Sequence, residues 1–230
     1  MSKHQTLRSH NYLAVGNQLL QVAKGLDTRS VKSRLAAFEK VHRGYASAQA
    51  EVIKAAASLR RQQSVVDGCA QVQADGLSGL ASALVGDGLP RMNPFRALGQ
   101  PAPSTLADLG HRKSAQVSLL VVQAVRSRQG NSRASLKLAL AVERAAQKLE
   151  AALDVVGLQE SHVKVLRQTR DDLIESWKEA FDALKRGALA AEDEGATHLY
   201  DNLFGSPAHA VKPPATKPVA PVAPQLTPGV

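Results

Sequence analysis

Apolar residues recur at alternating spacings of three and four over residues 132–184, and this stretch dominates the sequence. Two heptad rows carry the pattern, and only Gln159 and Arg170 interrupt them. The rows are Leu138, Ala145, Ala152, Gln159, Leu166, Leu173 and Ala180, and Val142, Leu149, Val156, Val163, Arg170, Trp177 and Leu184. Such a repeat predicts one long helix with a continuous apolar seam. If the helix extends over residues 132–192, it is about 90 Å long and must bury its seam against other long helices.

Three further helices follow from similar patterns. A second long helix is predicted from residue 29 to about residue 73, where apolar residues recur every seven positions. A third helix is predicted at about 105–128, and an amphipathic helix at 5–24. Glycines and prolines crowd residues 67–104, which predicts a long loop with a last helical turn or two near its middle. The predicted fold is therefore all-α, an elongated bundle of three long helices.

The chain divides into three predicted regions. Residues 1–26 form an N-terminal amphipathic segment, which can either pack on the bundle or lie in a membrane interface. Residues 27–204 form the helical bundle. Residues 205–230 hold seven prolines, which predicts a disordered or polyproline-like tail and, more weakly, a partner with an SH3-like groove.

Composition agrees with packed helices and adds a charge pattern. Aromatic residues make up only 3% of the chain, and the single cysteine excludes an intramolecular disulfide framework. The N-terminus lacks the apolar core of a signal peptide, and no apolar run approaches membrane-spanning length, so we expect a cytosolic chain. The net charge of +9 is uneven: residues 1–65 carry +8, residues 105–150 carry +5 and residues 151–204 carry −5. Such a basic region attracts anionic lipid, nucleic acid or an acidic protein, although it also serves solubility.

The sequence offers no catalytic motif. Glu39 and His42 form a Glu-x-x-His pair, the spacing of di-iron ligands in ferritin-like bundles, but the chain holds no second copy. Cys69 stands among small residues and is most simply a packing residue. We therefore expect no enzyme activity, no cofactor and no metal site.

Two clusters of basic residues are the candidate binding residues. The first, which we call the basic turn, lies between the third and fourth predicted helices, and no acidic residue occurs between Asp108 and Glu143. The second lies where the N-terminal segment meets the long helix predicted from residue 29. The basic turn contains Arg126, Arg128, Arg133 and Lys137, and the second group contains Lys24, Arg29, Lys32 and Arg34. An ordinary solvated turn is the alternative interpretation.

The order of these elements resembles the BAR domain family, in particular the N-BAR type of the amphiphysin group. The residues 126–133 look like the basic tip of that family, and residues 137–177 look like its third helix. The resemblance implies an antiparallel homodimer that binds anionic membrane and senses or induces curvature, with the two basic clusters contacting lipid. It also implies that the N-terminal segment inserts into the membrane through four apolar residues. They are Leu7, Val15, Leu19 and Leu20.

A second function remains open from the residues alone. The chain could be a coiled-coil structural or interaction protein of a phage, a secretion machine or a chromosome, whose basic faces bind nucleic acid or a partner protein. Loose, salt-dependent DNA binding without lipid preference would favour that hypothesis.

Overall fold

The computed structural model describes residues 9–205, and all regular structure in that range is helical, which confirms the all-α prediction. Two helices exceed fifty residues, and they match the two longest predicted ones. The six α-helices are α1 (Ser9–Ala23), α2 (Lys32–Gly86), α3 (Pro103–Ala107), α4 (His111–Ser127), α5 (Arg133–Asp193) and α6 (Leu199–Phe204). Short 3-10 helices cover Arg29–Val31 and Pro94–Leu98. The predicted tail lies outside the described residues from position 206 onward.

The chain forms two compact units, and the boundary between them falls within both long helices. One unit comprises Met1–Arg43 with Glu175–Val230, and the other comprises Gly44–Ile174. We call them the terminal unit and the central unit. Each has a buried core of its own.

Aromatic rings form the core of the terminal unit, although the chain has few of them. Trp177 is 1% exposed, and its ring lies 5.3 Å from Phe38, 5.0 Å from Tyr12 and 5.0 Å from Phe181, measured between centroids. Phe181 in turn contacts Phe204 of α6 at 5.4 Å. Six of the eight aromatic residues of the chain belong to this unit, so its core is built from ring contacts rather than from the alanine-rich seam.

The central unit has an aliphatic core between the last turns of α2, α4 and the first half of α5. Leu80, Leu84, Val121, Val125 and Val142 are fully buried there. Phe95, on the 3-10 helix after α2, closes one end of this cluster. Among the apolar residues of the predicted third helix, Leu106, Val121 and Val125 are buried, whereas Leu120 is half exposed.

Helix α2 corrects the predicted loop at 67–104, because it continues to Gly86. Two of the glycines that suggested a helix break lie against α5 instead, whereas nothing lies within 4 Å of a Cβ on Gly68 or Gly86. A Cβ on Gly76 would lie 3.2 Å from the Cγ2 of Val142, and one on Gly79 would lie 3.8 Å from the Cδ2 of Leu138. Glycine costs a helix about 1 kcal/mol relative to alanine, and burial of the neighbouring leucines offsets that cost.

The predicted helix at about 105–128 is also corrected. It is split into α3 and α4, with Gly110 as the residue before α4. Helix α3 starts earlier than predicted, at Pro103, because proline is well suited to the first turn of a helix. Helix α4 is 17 residues long and is therefore much shorter than α2 and α5.

The two polar interruptions of the seam in α5 have different environments. Arg170 donates from Nη1 to Oε1 of Gln49 at 3.1 Å and pairs with Asp171 at 2.6 Å. The Oε1 atom of Gln159 is buried and has no hydrogen-bond partner among the described residues. The apolar residues of the second heptad row are buried as predicted except Val156, which is half-buried. The buried ones are Val142, Leu149, Val163, Trp177 and Leu184.

Candidate functional site

The basic turn lies in the central unit, between α4 and α5, and Arg128 holds its backbone in place. Its guanidinium donates to Oδ1 of Asn131 at 2.7 Å and to the carbonyl oxygen of Asp87 at 3.4 Å. The side-chain amide of Asn131 donates to the carbonyl oxygens of Val125 and Arg128 at 2.5 and 2.9 Å. Gly130 supplies the left-handed conformation, with φ at 81°. Arg128 is therefore half-buried and structural, which was not expected of a lipid contact.

Asp87 brings a carboxylate to the basic turn that the sequence did not reveal. It follows the last residue of α2, and its Oδ2 accepts a hydrogen bond from the backbone N–H of Ser132 at 3.0 Å. Hydrogen bonds from Ser135 and then Ser132 lower the pKa of Asp87 below its usual value, and the charge of Arg128 lowers it further. The span without acids in the sequence is therefore not free of acids in space.

Arg126 is neutralised in a similar way. Its guanidinium donates to both carboxylate oxygens of Glu143, at 2.9 and 2.6 Å, in a bidentate pair. The side chain of Glu143 is only 23% exposed, whereas that of Arg126 is 48% exposed. Of the four predicted contacts in the basic turn, two are thus occupied within the chain.

Arg133 and Lys137 remain exposed, and two further cations extend them along α5. Arg144 and Lys148 follow at spacings of seven and four residues, which puts all four side chains on one face of the helix. None of the four forms an ion pair with another residue in the described range. We call this set the α5 basic face. Arg144 and Lys148 could have been found from the sequence by continuing the spacing of Arg133 and Lys137.

The same face of α5 continues as an apolar stripe. Ala151, Val155, Leu158 and Val165 keep the three-and-four spacing and are exposed, with His162 between the last two. Leu158 is 73% exposed and Val165 is 62% exposed. Large apolar side chains that repeat along one solvent-exposed helix face mark a surface suited to another helix.

The second predicted basic group lies in the terminal unit and is only partly available. Arg29 pairs with Asp27, with side-chain hydrogen bonds of 2.5 to 3.0 Å, and these bonds lower the pKa of Asp27 to about 2. Arg34 lies directly over the backbone of Gly187, where a Cβ would collide with its side chain. Lys24 and Lys32 are exposed.

Helix α1 packs against the other helices of the terminal unit. Leu19 is 3% exposed, Val15 and Leu20 are half-buried, and Leu7 lies outside the described residues. Tyr12 contacts Trp177, and α1 also contacts α6. Leu19 therefore cannot reach a membrane in this arrangement, so its predicted insertion would require α1 to leave the core.

The Glu39 and His42 pair does not share a site. Glu39 pairs with Arg43 at 2.7 Å on the exposed side of α2, whereas His42 is buried and hydrogen-bonded on both ring nitrogens. Among residues 9–205 no cluster of three or more His, Cys, Asp or Glu side chains could hold a metal ion. Cys69 is half-buried beside the small cluster around Leu149.

Comparisons with protein-family models, with curated proteins and with solved structures find no match for this chain. No helix in the described part of the chain is long and apolar enough to cross a membrane. The α5 basic face and the apolar stripe beyond it are exposed features of the central unit that share one side of one helix.

Proposed function

We propose that this protein is a non-enzymatic, dimeric, BAR-like scaffold that binds anionic membrane and senses or induces its curvature. The observation that carries the proposal is the α5 basic face. Four exposed cations on one face of a rigid helix are suited to a surface of anionic headgroups, because each contributes about 1 kcal/mol near such a surface. A dimer would present six of them to lipid, because Lys148 lies at the dimer contact described below.

The lipid contacts of this proposal differ in part from those predicted at the basic turn. Arg133 and Lys137 stay as contacts and are joined by Arg144. Arg126 and Arg128 contribute less, because their charges are engaged by Glu143 and by groups around Asp87. All four residues of the second group are exposed, but Arg29 is paired with Asp27, so Lys24, Lys32 and Arg34 are the remaining candidates.

The apolar stripe supports an antiparallel dimer. If two copies of α5 cross with Val155 opposite Val165 of the second copy, the same register puts Lys148 opposite Asp172. A parallel pair in register would instead put Lys148 opposite Lys148, which is unfavourable. The contact spans residues 148–172 and leaves Arg133, Lys137 and Arg144 outside it, available for lipid.

Dimerisation through this stripe is tested by charge introduction. Leu158→Lys together with Val165→Lys changes only exposed side chains, so the fold should survive. Analytical ultracentrifugation should show a dimer for the wild type and a monomer for the variant, with unchanged helical circular dichroism. A variant that stays dimeric would exclude this face as the interface.

Lipid binding is tested by reversing charges on the α5 basic face. Arg133→Glu, Lys137→Glu and Arg144→Glu should together weaken binding to phosphatidylserine-containing liposomes by about a hundredfold or more, at roughly 1 kcal/mol per residue. The matched control reverses Lys54, Arg60 and Arg61 of α2, which are exposed and change the net charge equally. Equal losses in both variants would contradict a specific face and indicate an effect of net charge.

Nucleic acid is the second candidate partner, because the same four cations could neutralise phosphates. The comparison that separates the two partners is competition. If short duplex DNA displaces the protein from liposomes at low concentration, and neutral and anionic liposomes bind equally, the nucleic-acid function is favoured. Binding to anionic liposomes that survives excess DNA favours the membrane function.

A further inference from the structure

His42 joins three helices of the terminal unit through a single buried imidazole. It belongs to α2, is 3% exposed, and lies between Asn17 of α1 and Trp177 of α5. The ring also stacks on Phe38 at a centroid distance of 5.8 Å. A titratable ring in this position is not explained by the proposed lipid face, which lies in the other unit.

The hydrogen bonds of His42 fix its protonation state. The indole N–H of Trp177 can only donate, and it donates to Nδ1 of His42 at 3.1 Å. The Nδ1 atom must therefore carry a lone pair, so Nε2 carries the proton. That N–H donates to Oδ1 of Asn17 at 2.9 Å. The neutral imidazole thus has both nitrogens satisfied.

Gly16 lets α1 come close enough for this arrangement. A Cβ on Gly16 would overlap the imidazole ring of His42, so the ring lies directly against the backbone of α1. Asn17 is the next residue and supplies the hydrogen bond. The contact between α1 and His42 therefore consists of packing of the ring on the backbone at Gly16 and of the hydrogen bond between Nε2 and Asn17.

A second proton would disrupt the hydrogen bond between His42 and Trp177. It would have to bind at Nδ1, which faces the N–H of Trp177, so an acceptor would become a donor opposite another donor. Burial already disfavours the cation and lowers the pKa of His42 from its ordinary value of 6.5. Nδ1 is also the ring atom that lies nearest to a Cβ placed on Gly16 of α1, so departure of α1 would open Nδ1 to water and let it take the proton.

No neighbouring charge in the described part of the unit is placed to offset that cost. On α2, Glu39 lies one turn from His42, but it is exposed and pairs with Arg43 at 2.7 Å. On α5, Glu175 and Lys178 flank Trp177 and are exposed, 4.0 Å from one another. On α1, Tyr12 brings a phenol that contacts the ring of Trp177, and Lys24 lies beyond Asn17 on the exposed side. On α6, Asp201 lies 3.9 Å from His198.

We propose that His42 is an acid-sensitive latch, which holds α1 in the core of the terminal unit near neutral pH and releases it on acidification. The sign follows from linkage. Below pH 6.5 the released state binds a proton that the docked state does not, so the docking equilibrium constant falls by up to tenfold per pH unit until the lowered pKa is reached. Above pH 6.5 docking is independent of this group.

Release of α1 would free its apolar side for the membrane, and this use of the latch rests on the proposed function. The helix carries Tyr12, Val15, Leu19 and Leu20 on its packed side. Once free, an amphipathic helix of this kind can lie in the interface of an anionic membrane. The latch would then make membrane insertion of α1 dependent on pH, separately from binding by the α5 basic face.

The experiment uses Trp177, the single tryptophan of the chain, as an internal reporter. The full-length protein is titrated from pH 8 to pH 5 without lipid, and the indole fluorescence is followed alongside amide hydrogen exchange of residues 9–23. The matched variant is His42→Gln, whose side chain can accept from Trp177 and donate to Asn17 but does not titrate. His198, which lies near Asp201, is retained in both proteins as an internal control.

The latch predicts that wild-type fluorescence changes below pH 6.5 and that the exchange protection of α1, corrected for intrinsic rates, falls by up to tenfold per pH unit. His42→Gln should show neither change. The proposal is overturned if wild-type α1 keeps its protection at pH 5, or if His42→Gln loses it equally. Should the variant fold poorly, the wild-type titration alone decides. Because no lipid is present, failure here is distinct from failure of the membrane function.

Discussion

Replacing the polar layer at Arg170 and Gln49 is a quantitative test of how the seam between α2 and α5 is built. The side chain of Arg170 is 12% exposed, and Gln49 is 4% exposed. Their hydrogen bond of 3.1 Å satisfies the buried amide oxygen of Gln49. The perturbations are Arg170→Leu, Gln49→Leu and the two together.

Each single change leaves a buried polar group without its hydrogen-bond partner. Arg170→Leu leaves the Oε1 of Gln49 without its donor, and Gln49→Leu leaves a guanidinium N–H without its acceptor. An unsatisfied buried group costs about 1–3 kcal/mol, so each variant should lose stability on that scale, less whatever the new leucine gains by burial. The double variant removes both hydrogen-bonding partners and gives a continuous apolar seam. By analogy with other buried polar layers it should be as stable as the wild type or more stable by about 1–4 kcal/mol.

The assay is urea unfolding followed by circular dichroism at 222 nm for all four proteins, with the free energies combined as a double-mutant cycle. We expect a coupling of at least about 2 kcal/mol, because the cost of each single change disappears in the double variant. The matched control is Leu166→Ala in the same seam, which should add to either single change only through ordinary cavity formation. Additive single effects, with the double variant least stable, would refute the reasoning.

Three other predictions concern helix contacts and charge. Gly68→Ala should raise stability by about 1 kcal/mol in urea unfolding, because nothing lies within 4 Å of the new Cβ, whereas Gly76→Leu should lower it by about 1–3 kcal/mol through collision with Val142. Asp87→Ala should make the free energy of unfolding fall less steeply at acidic pH. The lowered pKa of Asp87 stabilises the fold above the ordinary value of 3.8, and that contribution is lost as pH falls. An equally steep fall in the variant would exclude this role. Arg126→Gln combined with Glu143→Gln removes the ion pair without changing the net charge, so it should leave liposome binding within about twofold of wild type; a larger loss would restore Arg126 as a lipid contact.

Much of the helical architecture could be predicted because burial repeats along a helix with a fixed period. Helix α5 was expected at 132–192 and runs from Arg133 to Asp193. Its second heptad row is buried wherever it is apolar except at Val156, which is half-buried. The start of α5 was also readable, since Ser132 has the side chain of a helix cap and accepts a hydrogen bond from the N–H of Ser135 at 3.2 Å.

The end of α2 could not be predicted from local preference. Glycine disfavours a helix by about 1 kcal/mol wherever it stands, so Gly68, Gly76 and Gly79 together read as a break. What overrides that preference is tertiary contact, since Gly76 and Gly79 face α5. The contact partners lie about sixty residues away in sequence, beyond the reach of any pattern within α2.

The candidate site shows the same limit for charge. The cations of the basic turn could be identified from the sequence, but not all of the groups that they contact in the fold could. Asp87 meets Ser132 across 45 positions, and Trp177 meets His42 across 135. The spacing of Glu39 and His42 suggested a pair of metal ligands. In the fold, Nδ1 of His42 instead accepts a hydrogen bond from Trp177, and a metal ligand would need that nitrogen free.

The measurement that tests the central claim most directly is co-sedimentation of the full-length protein with phosphatidylcholine liposomes, with and without phosphatidylserine, followed by electron microscopy of the pellets. We expect a dimer that pellets with the anionic liposomes only, loses binding as salt rises, and produces tubules or small vesicles. A folded dimer that stays in the supernatant with both kinds of liposome would contradict the membrane function and leave the α5 basic face to another anionic partner.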